Sequence, residues 1–195
     1  MKNPKFKMRS QRNAIIIIGE GPTEQYYFSH LKNIFQYKCK IRPRFFCNTC
    51  ASRLEKSIID ALEGSATVLC VFDEDVSKRN EKENMELKSL KTKYISNPNV
   101  IFCPSMPSIE YWFLLHFRDC CPNYSKSDEA ERELRKYIKK YEKTETFLKN
   151  EKWVKVMSMK DYGLDNACKR AKIHDKPNAS YSKIYFAIEK LRKTI

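Results

Sequence analysis

The sequence predicts an α/β fold, a parallel sheet wrapped by crossover helices and followed by a helical C-terminal part. Three observations predict it. Short apolar runs alternate with helical patterns through the first half of the chain, as βα units feeding a parallel sheet require. The strand pattern then stops after Pro107, and the remainder reads as helical to the end. Finally, 42% hydrophobic and 12% aromatic residues in a chain of 195 supply enough apolar surface to offset chain entropy in one core, while 32% charged residues and only four glycines describe a helix-rich, solvated exterior.

Taken in order, residues 14–18 are the first apolar run and the first strand. Tyr27, Phe28, Leu31, Ile34 and Phe35 recur at spacings of one, three and four and predict an amphipathic helix, with Thr23 as its cap. Residues 44–47 read as the second strand. Leu54, Ile58, Ile59 and Leu62 make a second helical stripe ahead of a third strand at 67–72. Residues 80–93 are polar with few apolar anchors, a solvated helix or an excursion, and 100–103 read as the fourth strand. Residues 108–117 are strongly apolar. Beyond them Leu134, Tyr137, Ile138 and Tyr141 predict one helix face, and Ile184, Ala187, Ile188 and Leu191 another. Residues 120–127, with Pro122, Asn123 and two serines, are the expected joint between an α/β core at 1–120 and a helical extension at 121–195 packed on it.

Composition narrows the function classes. Lys and Arg total 38 against 24 Asp and Glu, a net charge of +14, which points to a polyanionic partner such as nucleic acid. The longest apolar stretches, at 14–18, 68–72 and 111–115, fall far short of the roughly 20 residues a bilayer span needs. No membrane association is expected, and with no signal-peptide pattern at the N-terminus a cytoplasmic location is. Eight cysteines, several inside apolar runs, fit a reduced compartment in which free thiols behave as small hydrophobes. Cys47 and Cys50 have the spacing of half a zinc site, which no second CxxC or HxxxH completes.

The informative feature is where the acids fall. Glu20 directly follows the first strand, Asp73 and Asp75 follow the third, and Glu110 lies shortly past the fourth, behind Pro104 and Pro107. Ligands of open parallel sheets bind outside the carboxyl ends of the strands, so these acids should converge on one edge. Like charges gathered there repel, and the usual compensation is a divalent cation held by oxygen ligands. Glu20, Asp73 and Asp75 are therefore expected to hold Mg²⁺ or Mn²⁺. Glu24 taken alone reads as a helix N-terminal charge and is a secondary candidate. His116, inside an apolar run, reads as a hydrogen-bonded core histidine before a ligand. The Gly19-Glu20-Gly21-Pro22 turn lacks both the lysine of a P-loop and the three spaced glycines of a dinucleotide turn.

Phe72-Asp73-Glu74-Asp75-Val76-Ser77 admits two enzyme chemistries. A strand ending in DxDx[VT] is the nucleophile motif of haloacid-dehalogenase phosphotransferases, from which Ser77 departs and which places DxD on the first core strand. A DxD after the third strand paired with a glutamate after the first is the pattern of Toprim nucleases, topoisomerases and primases. The second explains Glu20 as well.

At this point the chain resembles a known family. Ile15 to Glu20 with Gly21-Pro22-Thr23-Glu24 and Tyr27-Phe28 is similar to the "EGxTE…YF" opening of RloB-like proteins, the abortive-infection (AbiL-type) group related to the Toprim domains of OLD nucleases. Phe72-Asp73-Glu74-Asp75 resembles its "FDxD", and Ser108-Ile109-Glu110-Tyr111-Trp112-Phe113-Leu114-Leu115-His116-Phe117 its "FExWLLLHF". Tyr141-Glu142-Lys143 resembles its "YxK", and 177–191 its closing segment. The family commonly has "NPxF" where this chain has Pro107-Ser108-Ile109. The resemblance implies a Toprim-like, Rossmannoid fold and a metal-dependent nuclease acting on RNA, tRNA included, or DNA. It also implies anti-phage defence beside a partner ATPase of the ABC, SMC-like or AAA type. Glu20, Asp73, Asp75, Glu110 and Lys143 would be the catalytic set, with Lys143 stabilising charge on the phosphoryl group. A non-catalytic subunit docked on the ATPase, and a DxD phosphotransferase, are the alternatives.

Overall fold

The structure is a computed structural model that describes residues 14–42, 51–75, 81–119, 123–159, 163–176 and 179–195. The chain runs β1 (Ile15–Gly19), α1 (Pro22–Phe35), β2 (Cys39–Arg42), α2 (Ala51–Glu63), β3 (Thr67–Asp73), α3 (Glu81–Tyr94) and β4 (Val100–Met106). It continues with α4 (Ile109–Phe117), α5 (Ser127–Leu134), α6 (Glu145–Lys149), α7 (Lys152–Met159), α8 (Gly163–Ile173), β5 (Tyr181–Ser182) and α9 (Ile184–Arg192). The strands form one sheet in the order β2-β1-β3-β4-β5, parallel except for β5, which pairs antiparallel with β4. This is a Rossmann-like α/β arrangement, as the sequence predicts.

The strands read as unbroken apolar runs because both faces of the sheet are covered. Ile15, Ile17, Leu69, Val71 and Cys103 face the layer built from α1, α4 and the C-terminal helices. Their neighbours Ile16, Ile18, Val68, Cys70 and Phe72 face α2 and α3, where they meet Leu54, Ile58 and Leu90. The first cluster continues without a break into Leu134, Tyr141, Trp153, Leu164 and Ile188, so the C-terminal helices share the core of the sheet. Fully buried side chains such as Phe113, Leu114 and Leu115 each contribute roughly 1.5–3 kcal/mol. Trp112 donates its indole N–H to the Tyr27 hydroxyl at 2.7 Å, tying α4 to α1.

Several expectations change. The 44–47 run lies outside the described residues, and the second strand is Cys39–Arg42, an edge strand whose Lys40 and Arg42 hide its pattern. Helix α1 begins one residue before Thr23, with Pro22 in its first turn and Gly21 as N-cap, so Thr23 is not the cap; Glu24, three residues on, reaches back to accept the Gly21 N–H. Ile59 is 41% exposed, because the buried stripe of α2 is Leu54, Ile58 and Ala61. Within the polar 80–93 segment the described residues, from 81 on, are helix α3, anchored by buried Leu90 and Tyr94 with Leu87 partly buried beside them. The chain is not helical to its end: Tyr181 and Ser182 join the sheet, with the Ser182 and Ser105 hydroxyls 2.9 Å apart. A two-residue strand has no period to read and is set by its partner alone.

Leu134, Tyr137, Ile138 and Tyr141 do not share a helix either. Helix α5 stops at Leu134, and turns follow to Lys140, whose φ of 64° is left-handed. Tyr137 stays at the surface, stacked on Phe117 at 5.0 Å between ring centres. Cys39, Cys70, Cys103 and Cys168 are buried free thiols, and burial pushes Cys103 up to about 12. The Cys47–Cys50 pair lies outside the described residues. Among the described residues no helix is long and apolar enough to cross a membrane.

Candidate functional site

The strand order puts a topological switch between β1 and β3: the chain leaves β1 toward β2 on one side and returns to β3 on the other. The crevice above such a pair of carboxyl ends is where open α/β sheets bind ligands. Here it is lined with acids. Glu20 follows β1 directly; its N–H donates to Val71 O at 3.1 Å, and its Oε2 accepts the Asp73 N–H at 2.8 Å. Asp73 closes β3 and accepts the N–H of Ile109, the first residue of α4, at 2.8 Å. It thus caps an otherwise unpartnered donor at the positive end of that helix. Glu24, buried in the first turn of α1, accepts the Gly21 N–H at 2.7 Å. Helix α1 starts this close to β1 only because residue 19 is glycine, since a Cβ there would lie 2.7 Å from Glu24 Cβ.

The fourth acid comes from α4. Glu110 is fully buried, and its Oε2 accepts the Ser108 hydroxyl at 2.6 Å. Its Oε1 accepts the Tyr141 hydroxyl at 2.7 Å and lies 3.0 Å from Lys143 Nζ. Lys143 Nζ is also 3.8 Å from Glu131 on α5. Asp75 is buried beside them, its carboxylate accepting the Ser127 hydroxyl and its N–H donating to Pro107 O at 3.3 Å. Glu74, the bend residue between the two aspartates, instead takes Lys91 and the Tyr181 hydroxyl.

Crowding these carboxylates shifts their protonation. Burial pushes the Glu20 carboxyl up to about 7 against the pull of the Asp73 N–H, with Glu24 and Asp75 adding to the rise and Lys143 opposing it. Burial also raises Asp73 well above the carboxylate range, reinforced by Glu24, Glu110 and Glu20 and opposed by Lys143. Glu24 rises for the same first cause, with Glu110 next among those that raise it. For Lys143, burial favours the neutral amine, but the negative charge of Glu110 outweighs it and holds the ammonium above its ordinary range. Among the described residues, Lys143 is the cation that opposes the charge of these acids.

The structure therefore brings Glu20, Glu24, Asp73, Glu110 and Lys143 together, with Asp75 within electrostatic reach of Glu20. His116 is elsewhere in the core: its Nδ1 lies 3.0 Å from Trp112 O, its ring packs edge-on against Trp112, and burial lowers it to about 4, so it is neutral. Among the described residues no three His, Cys, Asp or Glu side chains stand ready as a ligand group. The carboxylates instead hold backbone N–H groups, hydroxyls and one ammonium.

Sequence reading missed Ser108, Ser127, Glu131 and the polar role of Tyr141. Had the predicted helix face continued past Tyr141, Lys143, two residues on, would project from a different side. Residues 141–143 are not helical, and alternate residues of a non-helical stretch reach the same acid while Glu142 stays exposed. The Tyr-x-Lys spacing of two was the available signal. In comparison with known proteins, the family model described as RloB-like protein matches residues 15–191. No curated protein and no solved structure matches the chain.

Proposed function

Because this chain belongs to the RloB-like family, we propose that it is a divalent-metal-dependent nuclease of Toprim type that cleaves phosphodiesters of RNA or DNA. The observation that carries the reading is the gathering of Glu20, Glu24, Asp73, Asp75 and Glu110 at the carboxyl edge of β1, β3 and β4 in a chain of net charge +14. A basic protein has no need of buried acids unless something offsets them, and the Lys143 ammonium does so only in part. The donor set, all hard oxygen, fits Mg²⁺ or Mn²⁺. Glu20, Asp73 and Asp75 would hold the ion, giving up the Asp73 and Ile109 N–H groups and the Ser127 hydroxyl as they turn toward it. The ion would supply charge neutralisation at the phosphate and a more acidic water.

The chain's own groups supply the rest. With its carboxyl near 7, Glu20 can hold or release a proton at neutral pH, the property a general acid or base needs. Lys143 brings positive charge to the same edge, where a phosphoryl group would develop negative charge. The basic exterior tracks the phosphate backbone. A cytoplasmic setting in anti-phage defence, beside an ABC, SMC-like or AAA-type ATPase, rests on the resemblance of the opening and Glu110–Phe117 blocks alone.

A second reading, a non-catalytic Toprim-like subunit that binds nucleic acid or the ATPase, is favoured by the hydrogen bonds the carboxylates already make. Calorimetric titration with Mn²⁺ separates the two. A saturable isotherm in the wild type that disappears in Asp73→Asn supports the nuclease; no binding by either protein supports the subunit. A hydroxylamine-labile phosphate on Asp73 would support phosphotransferase chemistry instead.

A further inference from the structure

We infer that Tyr141 is a positioning residue that acts through Glu110 to hold the Lys143 ammonium at the carboxylate edge, Glu110 being the anchor of that lysine and not a cation ligand. The inference rests on the nuclease reading for its kinetic consequence and on geometry for the rest.

Glu110 has no exposed surface, and a buried carboxylate is tolerable only when its lone pairs are used. They are used by three donors of this chain: the Ser108 hydroxyl on Oε2 at 2.6 Å, and on Oε1 the Tyr141 hydroxyl at 2.7 Å and Lys143 Nζ at 3.0 Å. A cation would have to displace them inside a closed core. Glu20 and Asp73 differ, since among the described residues each side chain accepts one backbone N–H on one oxygen at the switch-point crevice.

Lysine has a long flexible stem, and the Lys143 side chain is 41% exposed, so left alone it would spread into solvent. Tyr141 is rigid by contrast. It is fully buried, with its ring 5.5 Å from Phe147, 6.2 Å from Trp153 and 6.3 Å from Phe113. Two fixed torsions set its hydroxyl, the hydroxyl sets the Glu110 carboxylate, and the carboxylate sets the ammonium. Glu131 adds a weaker second hold at 3.8 Å. The rigid core thereby fixes a mobile cation where the phosphate would sit.

The test is Tyr141→Phe, which removes one hydroxyl and keeps the ring. In ¹⁵N-labelled, metal-free protein the Lys143 ammonium, assigned by its loss in Lys143→Arg, should give a resolved, slowly exchanging signal. That signal should broaden in Tyr141→Phe and vanish in Glu110→Gln; an unchanged signal in both overturns the inference, whether or not the protein cleaves anything. With Mn²⁺, Glu110→Gln should keep the wild-type affinity within about threefold, and a tenfold loss would make Glu110 a ligand. If the wild type cleaves nucleic acid, Tyr141→Phe should lower kcat by about 5–30-fold with KM unchanged. Added to Lys143→Ala it should cost nothing further, because the two act as one unit. Additive losses would overturn the coupling. A wild type that cleaves no nucleic acid removes the nuclease reading, while the ammonium and Mn²⁺ measurements still decide this one.

Discussion

Replacing Glu20 by glutamine should stabilise the metal-free protein, by an amount that depends on pH. The amide keeps an oxygen for the Asp73 N–H, bonded at 2.8 Å, and nearly the same volume, so the perturbation is the charge alone. Glu20 titrates at about 7 in the folded chain against an ordinary 4.5, and at about 1.4 kcal/mol per pH unit its ionisation costs the fold up to about 3 kcal/mol. A folded value above the unfolded one means that stability is complete below pH 4.5 and is lost as pH rises through 7. The wild type should therefore weaken across that window, while Glu20→Gln lacks this component. Its charge also raises Asp73, so the relief extends to a neighbour.

Urea unfolding in EDTA should show the two proteins nearly equal at pH 4.5, and the variant more stable by about 1–3 kcal/mol at pH 8. In a chain of this length that is roughly 3–10 °C in Tm. Saturating Mg²⁺ should reverse the order, because an ion at 100 times its Kd adds about 2.7 kcal/mol to whichever protein binds it. A variant less stable than wild type at pH 8 in EDTA, or a difference that does not change with pH, would refute the reasoning.

Asp73→Asn keeps the acceptor for Ile109 N–H, whereas Asp73→Ala leaves that helix-end donor bare, so the alanine variant should be about 0.5–2 kcal/mol less stable than the asparagine one although both lose cation binding; equal thermal stability would show that the cap is energetically silent. Nucleic-acid affinity should fall steeply with salt, each neutralised phosphate contributing a log–log slope of about −0.9 on duplex or −0.7 on single strands, and a flat dependence in a filter-binding series would remove the polyanion reading. Gly163→Ala would put a Cβ 1.9 Å from the Met157 carbonyl oxygen, a backbone clash that should cost about 1–3 kcal/mol or more in chemical denaturation. Its Mn²⁺ affinity per folded molecule should match wild type, and an affinity loss would mean that α8 shapes the site.

What the sequence makes legible is whatever has a period or a fixed place relative to one. Strands β1 and β3 carry buried runs on both faces, and the acids at or just past their ends are placed by topology, so Glu20 and Asp73 can be assigned to one crevice before any coordinate. Helix α1 is legible from its stripe, though its start at Gly21–Pro22 is marked by the Glu24 carboxylate reaching back to the Gly21 N–H, which a search for a hydroxyl cap overlooks. The rest is decided by partners distant in sequence. Tyr141 is 31 residues from Glu110, and Ser127 is 52 from Asp75, and no local pattern announces either contact. Strand β5 exists because Ser105 and Met106 offer it a ladder. Lys143 is singled out through the family-like Tyr-x-Lys pair, whereas helical periodicity puts Tyr141 on a helix that has already ended at Leu134.

The most direct test of the central claim is a cleavage assay. Wild type and Glu20→Gln are incubated with Mg²⁺ or Mn²⁺ and a panel of single-stranded and duplex DNA and RNA that includes tRNA, with and without a co-expressed partner ATPase. The carboxylate edge predicts cutting of at least one nucleic acid by the wild type, abolished by EDTA and by Glu20→Gln while binding persists. Binding without cutting by the wild type under every condition, or equal cutting by Glu20→Gln, would contradict it.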